Sequence, residues 1–513
     1  VSASVILSSL FKILDINHDV FLPHRETDGY GLNLNTVRLL KEQGTHVIIT
    51  CDCGVSNREE TILANELGMD VIITDHHSIP AILPPAYAII HPKVEGETYP
   101  DKGLAGGGVA FKLAQAILKR HAETQDRLPS GLPGEALAET GERHESFEKW
   151  LLDMVAIASV ADMVPLIGES RTLTKYGLIV LNKTRRIGLQ KLLLEARLRN
   201  DDGSARRELT ADTIGFQIAP RINAAGRMNH ANVAYNLLMA YDPIEATNLA
   251  FELNTNNQDR QKLTDTLVGE AIVQVERDQK EKPILFVIGK GWATGIVGLI
   301  ASRLKEQYKK PAIAMAENGA ITGSGRSVPG FNMIAALQEI PESLLKFGGH
   351  PMACGFTLKD GMLEGFKEAL TKKYVEKTAG VDMEVPLAID AEITLEDVSW
   401  DLYDLLEKFK PFGQANEKPK YLARGVAVVG LEPVGAQGQH LRIMVKHRTP
   451  KIRKTIGWNI GRGTPKNWAE KLAIGDTIDL VFEIDVNEWN GNRELQLLIV
   501  DLKKSPKTLP STS

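Results

Sequence analysis

Short β-branched runs separated by amphipathic stretches restrict this chain more than any other feature. DVFLP from Asp19, VIIT from Val47, VIIT from Val71 and AIIH from Ala88 each have strand length. Between them LNTVRLLKEQG from Leu34 and REETILANELG from Arg58 carry helical patterning and close on a glycine, the usual helix stop. Strands alternating with helices predict a parallel sheet covered by helices. In such open sheets ligands gather beyond the carboxyl ends of the strands. Asp52 stands beyond one run, and Asp75, His76 and His77 stand beyond another. Carboxylates and imidazoles converging there suit a divalent metal and a phosphate; the competing reading is that they cap the turns that follow.

A third candidate is Asp162, where the apolar helix WLLDMVAIASVADMVP from Trp150 runs into a polar turn. If three such sites share one edge, they suit two metals roughly 3.5–4 Å apart clamping a phosphoryl transfer. Oxygen ligands with one or two imidazoles favour Mn²⁺ or Mg²⁺. The cysteine pair of Cys51 and Cys53 flanks Asp52, and small strand-end residues explain it at least as well as metal binding. Three cysteines in 513 residues make no disulfide framework, so a reducing cytoplasm is expected.

The length exceeds one core and predicts two to four domains. A net charge of −5 neither advertises nor excludes nucleic acid, because a basic groove can lie on an acidic protein. The apolar runs are too short to span a membrane, and no cleavable signal pattern opens the chain. Its first residue is Val1, so a fragment lacking its true N-terminus is expected.

Beyond Asp242 the sequence turns helical and charged through NTNNQDRQKLTDTLVGEAIVQVERDQK, which predicts a connecting helix. A second α/β unit follows, with strands at Pro283 and Pro311 around a helix from Gly295. ITGSGRSVPG from Ile321 is expected to be a loop whose glycines, Ser324 and Arg326 meet a phosphate. GGHPMACG adds His350 on a glycine turn, and PRINAAGR adds Arg221 and Arg227. PHRETDGYG places Arg25 near Tyr30, fit for a phosphate and a stacked base. From about Tyr421 short strands alternate with turns, which predicts a small antiparallel barrel of OB type. The segment from about Glu123 to Glu145 is expected to be a mobile insertion, and the tail 506–513 to be disordered.

TCDCG from Thr50, TDHH from Thr74, ADMVP, GSGRS and GGHPMACG together resemble the DHH phosphoesterases that carry a DHHA1 domain. More narrowly, PHRETDGYG, PRINAAGR, the connecting helix and KPFGQANEKP from Lys410 resemble the RecJ family of single-strand-specific 5′-to-3′ DNA exonucleases. The resemblance spans almost the whole chain. It implies an α/β fold: a DHH-type parallel-sheet domain over 1–240, a connecting helix over 241–282, a smaller α/β DHHA1 domain over 283–375 and an OB-like β-barrel over 385–505.

The implied function is release of mononucleotides from the 5′ end of single-stranded DNA, in recombination and repair, with a two-metal Mn²⁺ or Mg²⁺ site. Asp52 would bridge the metals, with His76 and Asp162 as further ligands. His77 would lie by the scissile phosphate, His350 would contact the reacting phosphate, and Asp75 would orient the histidines. Arg25, Arg221, Ser324 and Arg326 would hold a 5′ phosphate, with Tyr30 and Asn223 as further substrate contacts. The implied partners are a single-stranded-DNA-binding protein and a RecQ-type helicase, for a cytoplasmic monomer away from membranes.

Two features depart from the family. Its D-x-D-G metal motif is not present, and VSASVILSSLF resembles the helix that follows it. The first strand and its ligands are therefore expected to be truncated, leaving a fragment with half its metal site that is inactive without the missing N-terminus. Trp292 is followed by Ala293 where the family commonly has histidine. Two other readings compete: a phosphodiesterase of short oligonucleotides or cyclic dinucleotides, and a catalytically inactive replication scaffold. An added strand-binding barrel argues against the first, and the intact Asp52, TDHH and Asp162 argue against the second.

Overall fold

A computed structural model describes residues 1–24, 31–125, 146–228, 230–381, 386–464, 466–489 and 492–505. The chain divides into two compact units, Val1–Val385 and Pro386–Ser513. The insertion and tail expected from the sequence fall largely outside the described residues, as do Arg25 and Tyr30. No helix among the described residues is long and apolar enough to cross a membrane.

The first sheet of unit 1 has β1 (Val47–Cys51), β2 (Asp70–Thr74) and β3 (Ala88–Ile90), all parallel and in that order. Ile48 of β1 stands beside Val71 of β2, and both are buried with Ile73 and Val37. Around the sheet run α1 (Ser2–Ile13), α2 (Leu34–Glu42), α3 (Arg58–Glu66) and α4 (Gly106–Gln125). Asn33 caps α2 by accepting the Thr36 N–H at 2.9 Å. The strand expected at Asp19 does not form: a strand exists through its ladder partner, and none of the described strands pairs with that segment.

α1 and α4 share a core with α5 (Leu152–Ala161), where Ile6, Leu10, Phe111, Met154 and Ile157 are buried. α5 is apolar nearly all round, which requires burial on every side. α6 (Gly168–Asn182), α7 (Ile187–Glu195), α8 (Ala219–Met228) and α9 (Asn232–Met239) complete this half. α10 (Pro243–Gln274) then connects it to the next. Asp242 starts α10 by accepting the Ile244 and Glu245 N–H groups at 2.9 and 2.7 Å, and Pro243 occupies the first turn.

The second sheet is mixed, in the order β4-β5-β6-β8-β7. β4 (Leu285–Lys290) and β5 (Ala312–Asn318) are parallel, joined through α11 (Thr294–Tyr308). β6 (Ala320–Arg326), β7 (Leu344–His350) and β8 (Ala353–Leu358) add an antiparallel edge. Thus GSGR lies in strand β6 and not in the expected loop. A Cβ on Gly323 would strike the Phe356 ring, so this glycine serves close packing within a strand. The GGH turn is likewise the end of β7, which puts His350 at the tip of the β7–β8 hairpin.

Unit 2 is built from β9 (Ala391–Glu392), β10 (Tyr421–Val434), β11 (His440–Lys446), β12 (Arg453–Gly457), β13 (Thr477–Trp489) and β14 (Asn492–Lys504). The pairings run from β10 through β11, β12, β14 and β13 back to β10, and β9 extends β10. Val426, Val428, Ile443, Leu480 and Phe482 fill the interior. Returning the ladder to its starting strand leaves few open edges.

Candidate metal and phosphate site

Asp52 leaves β1 with a left-handed backbone, φ 65°, a conformation aspartate tolerates better than most residues. Its N–H still bonds the Thr74 carbonyl at 2.9 Å, which ties the turn to β2. α4 begins against it, and a Cβ on Gly106 would overlap the Asp52 carboxylate. His76 Nε2 lies 3.1 Å from Asp52 Oδ1 and 3.3 Å from Asp162 Oδ2. Asp162 is the C-cap of α5, so a helix end from a distant part of the chain completes the group. Burial pushes the Asp162 carboxyl above its ordinary range; His76 opposes that shift, the Asp52 charge adds to it, and His77 and His350 oppose it.

His76 Nε2 is buried with no hydrogen-bond partner among the described residues, although it faces two carboxylates. An unmet nitrogen between two oxygens fits a divalent cation. Ligands about 2.1 Å from one ion at right angles stand about 3.0 Å apart, close to these separations. One ligand atom each from Asp52, His76 and His77 lie within 4.8 Å of one another. Burial pushes the neighbouring thiols up, Cys51 to about 11 and Cys53 to about 12.

Asp75 is buried and fully engaged. It accepts the His76 N–H at 2.7 Å, the Val55 N–H at 3.0 Å and His77 Nδ1 at 2.6 Å. Burial alone would raise its pKa, but the bonds from His77, Val55 and His76 outweigh that and hold it at about 2. The same Asp75 contact raises His77, against the opposing effect of burial. With Nδ1 committed to Asp75, Nε2 is the nitrogen His77 has left to use.

Two supporting residues escaped the sequence reading. His91 Nδ1 accepts the Lys93 N–H at 3.1 Å, so its proton sits on Nε2, which donates to the His77 carbonyl at 3.0 Å. Burial lowers the His91 pKa, in keeping with this neutral tautomer. Lys93 Nζ donates to the His76 carbonyl at 2.5 Å. Their signal was positional: both follow β3 as Asp52 and Asp75 follow β1 and β2.

The second sheet supplies cations. Arg326 donates to Ser324 Oγ and the Gly325 carbonyl, each at 2.8 Å, and to Ser302 Oγ at 3.1 Å. Gly298 of α11 leaves space for it, since a Cβ there would stand 3.0 Å from Arg326 Nη2. Burial lowers its pKa, and no carboxylate pairs with it among the described residues. His350 is exposed, and its charge reaches Asp162 across the two halves of unit 1. Arg221 instead donates to Asn254 Oδ1 at 3.0 Å and the Gln217 carbonyl at 2.7 Å. No hydrogen bond among the described residues joins it to Ser324 or Arg326, and Asn223 is exposed on α8.

Family models match as follows: the DHH family N-terminal domain over residues 1–158, the DHHA1 domain over 281–376 and the RecJ OB domain over 389–501. The single-stranded-DNA-specific exonuclease RecJ of Bacillus subtilis is 37% identical over 98% of this chain, which spans 59% of that relative's length. Its namesake in Salmonella typhimurium is 33% identical over 95% of this chain and 82% of its own length. The crystal structure of Thermus thermophilus RecJ in complex with Mn²⁺ superposes with a TM-score of 0.78 at 25% identity, covering 99% of this chain and 67% of that one. An exonuclease RecJ bound to manganese gives 0.58 at 28% identity over 73% of this chain and 86% of that one.

Proposed function

Because this chain belongs to the RecJ family of the DHH phosphoesterases, we propose that it hydrolyses single-stranded DNA from the 5′ end and releases mononucleotides. The observation that carries this reading is His76 Nε2, buried between the Asp52 and Asp162 carboxylates with no hydrogen bond among the described residues. Asp52, His76 and Asp162 would hold Mn²⁺ or Mg²⁺. A divalent ion there supplies Lewis acidity to the phosphoryl oxygen and lowers the pKa of bound water.

The chain's own groups do the rest. Asp75 orients His77, leaving Nε2 for a phosphoryl oxygen, while His91 and Lys93 fix the carbonyls of the histidine pair. Arg326 and Ser324 offer donors to a 5′ phosphate, with Arg221, Arg25, Tyr30 and Asn223 as further substrate contacts, and His350 meets the reacting phosphate. The ring-paired strands of unit 2 offer a further surface for single-stranded nucleic acid. The same proposal includes the domain division expected from the sequence, a monomeric cytoplasmic protein, and delivery of DNA by a single-stranded-DNA-binding protein and a RecQ-type helicase.

The test is digestion of 5′- and 3′-labelled single strands with Mn²⁺. Early release of labelled mononucleotide from the 5′-labelled strand supports the proposal. Early release from the 3′ label, or equal attack on duplex, overturns it.

A further inference from the structure

The end of α5 that carries Asp162 is closed in a way that usually calls for glycine. The Val164 N–H donates to the Ser159 carbonyl and the Met163 N–H to the Val160 carbonyl, each at 3.2 Å. This closure puts the residue after the cap in the left-handed region, where glycine is the common choice. Here that residue is Met163, with φ 55°, and its side chain is 69% exposed. A strained backbone that holds an apolar side chain in the open, next to a candidate ligand, points to a use for that side chain.

A second apolar side chain leaves the same place from another element. Just before α8 the helix widens into a π turn over Ile214–Ile218, a form frequent at functional sites. Ile214 and Ile218 are buried in the core of the first half. Phe216, midway between them, faces away from that core and is 79% exposed, more than any other large apolar side chain among the described residues. Gly215 lies against α5: a Cβ there would stand 3.7 Å from Val160 Cγ1. Phe216 is one residue from this contact, and Asp162 and Met163 are two and three residues from it. One exposed apolar residue is ordinary, but here two flank a candidate ligand. The charge around them has one sign. Residues 213–228 include Arg221 and Arg227 and no carboxylate, and Arg227 Nη1 ties α8 to the second half by donating to the Gly295 carbonyl at 2.8 Å. Exposed apolar side chains beside cations suit a single strand, whose bases stack and whose backbone is anionic.

We propose that Phe216 stacks on a nucleobase of the substrate strand beside the metal edge, with Met163 touching the same base. This rests on the nucleic-acid reading above and adds a determinant of single-strandedness, because neighbouring pairs cover the faces of a base in a duplex.

The test measures binding of fluorescent oligothymidylates of about 16 nucleotides to the 513-residue chain, with chelator present so that no cleavage intervenes. One strand is intact, and each of the others has a single abasic position, moved stepwise from the 5′ end. The wild type should lose about tenfold in affinity when the gap reaches one particular position. Phe216→Ala should bind the intact strand about tenfold more weakly and be indifferent to that gap, whereas Phe216→Trp should restore both the affinity and the sensitivity. The slope of log affinity against log salt should stay as in the wild type, since no phosphate contact is lost. Phe216 is exposed, so the melting temperature should stay the same in both variants. Met163→Gly relieves the left-handed strain, so its melting temperature should hold or rise while affinity falls by about threefold. Wild-type affinity in Phe216→Ala, or an abasic penalty there equal to that of the wild type, overturns the inference and leaves the family reading intact. A wild-type chain that binds duplex as tightly as the single strand, or binds neither, overturns the single-strand reading and this contact with it.

Discussion

Beside the carboxyl ends of β1 and β2 two carboxylates, one of them from the end of α5, crowd one buried imidazole nitrogen that has no hydrogen bond among the described residues. At the end of β6 a guanidinium sits among hydroxyls and carbonyls, with no carboxylate beside it among the described residues. The first edge suits a cation and the second an anion. The two edges also differ in construction. Parallel strands lead into separate loops, so residues as distant in sequence as Asp52 and Asp162 converge only through the fold. An antiparallel strand presents alternate residues on one face, so Ser324 and Arg326 meet two positions apart. In the proposed function a phosphate ester coordinated to a divalent ion would satisfy both edges at once, and His350, at the end of β7, acts on Asp162.

The comparison breaks most sharply if the cation side is emptied. Asp52→Ala removes an oxygen facing His76 and should weaken Mn²⁺ binding by more than about 100-fold, with hydrolysis falling to background. Isothermal calorimetry checks it, and near-wild-type affinity would show that the ion sits elsewhere. Gly106→Ala probes the same edge without touching a ligand. Its Cβ would displace the Asp52 carboxylate, so about 10–100-fold weaker Mn²⁺ binding is expected. An unchanged isotherm would mean that Asp52 has other room to turn.

Loss on the anion side should be smaller and selective. Charge-assisted hydrogen bonds contribute about 1.5–3 kcal/mol each. Arg326→Ala should therefore reduce the preference for 5′-phosphorylated over 5′-hydroxyl strands by about tenfold or more, while Mn²⁺ affinity stays as it was. Competition binding with the two strand types measures the ratio. If the ratio holds, Arg326 serves Ser302 and Ser324 alone and the second edge is structural.

How much of this the sequence disclosed depended on what each residue touches. VIIT with an acid one or two residues beyond it is local, so β1, β2 and the position of Asp52 and Asp75 could be read from pattern alone. His91 and Lys93 could not, because they act on the carbonyls of His76 and His77 and carry no spacing of their own. ITGSGRS suggested a loop because glycine disfavours strands; the Phe356 ring pressed against Gly323 overrides that preference and is invisible in one dimension. DVFLP has strand composition but no ladder partner among the described strands.

The mildest test uses pH to ask how far the charge at the first edge depends on the ion. His77 is raised in the folded protein, so its contribution is fully present below its ordinary pKa of 6.5 and is lost as pH rises through the raised value. Asp162 is also raised and has the same sign, its contribution fading as pH climbs above its ordinary 3.8. Asp75 has the opposite sign: held at about 2, its contribution is present above 3.8 and lost only as pH falls toward 2, so it is constant near neutrality. The metal-free protein should therefore melt lower at about pH 8 than at about pH 6. His77 is half-exposed and solvent screens its interactions, which limits the change to about 2–4 °C. Metal binding competes with protons for the same ligands, so the rise in melting temperature on adding Mn²⁺ should be larger at the higher pH. Asp75→Asn removes the principal cause of the His77 shift and should flatten the metal-free dependence. Scanning fluorimetry in chelator and in Mn²⁺ measures both effects. A Mn²⁺-induced rise that shrinks as pH increases would mean the first edge does not take the cation that its crowded carboxylates demand.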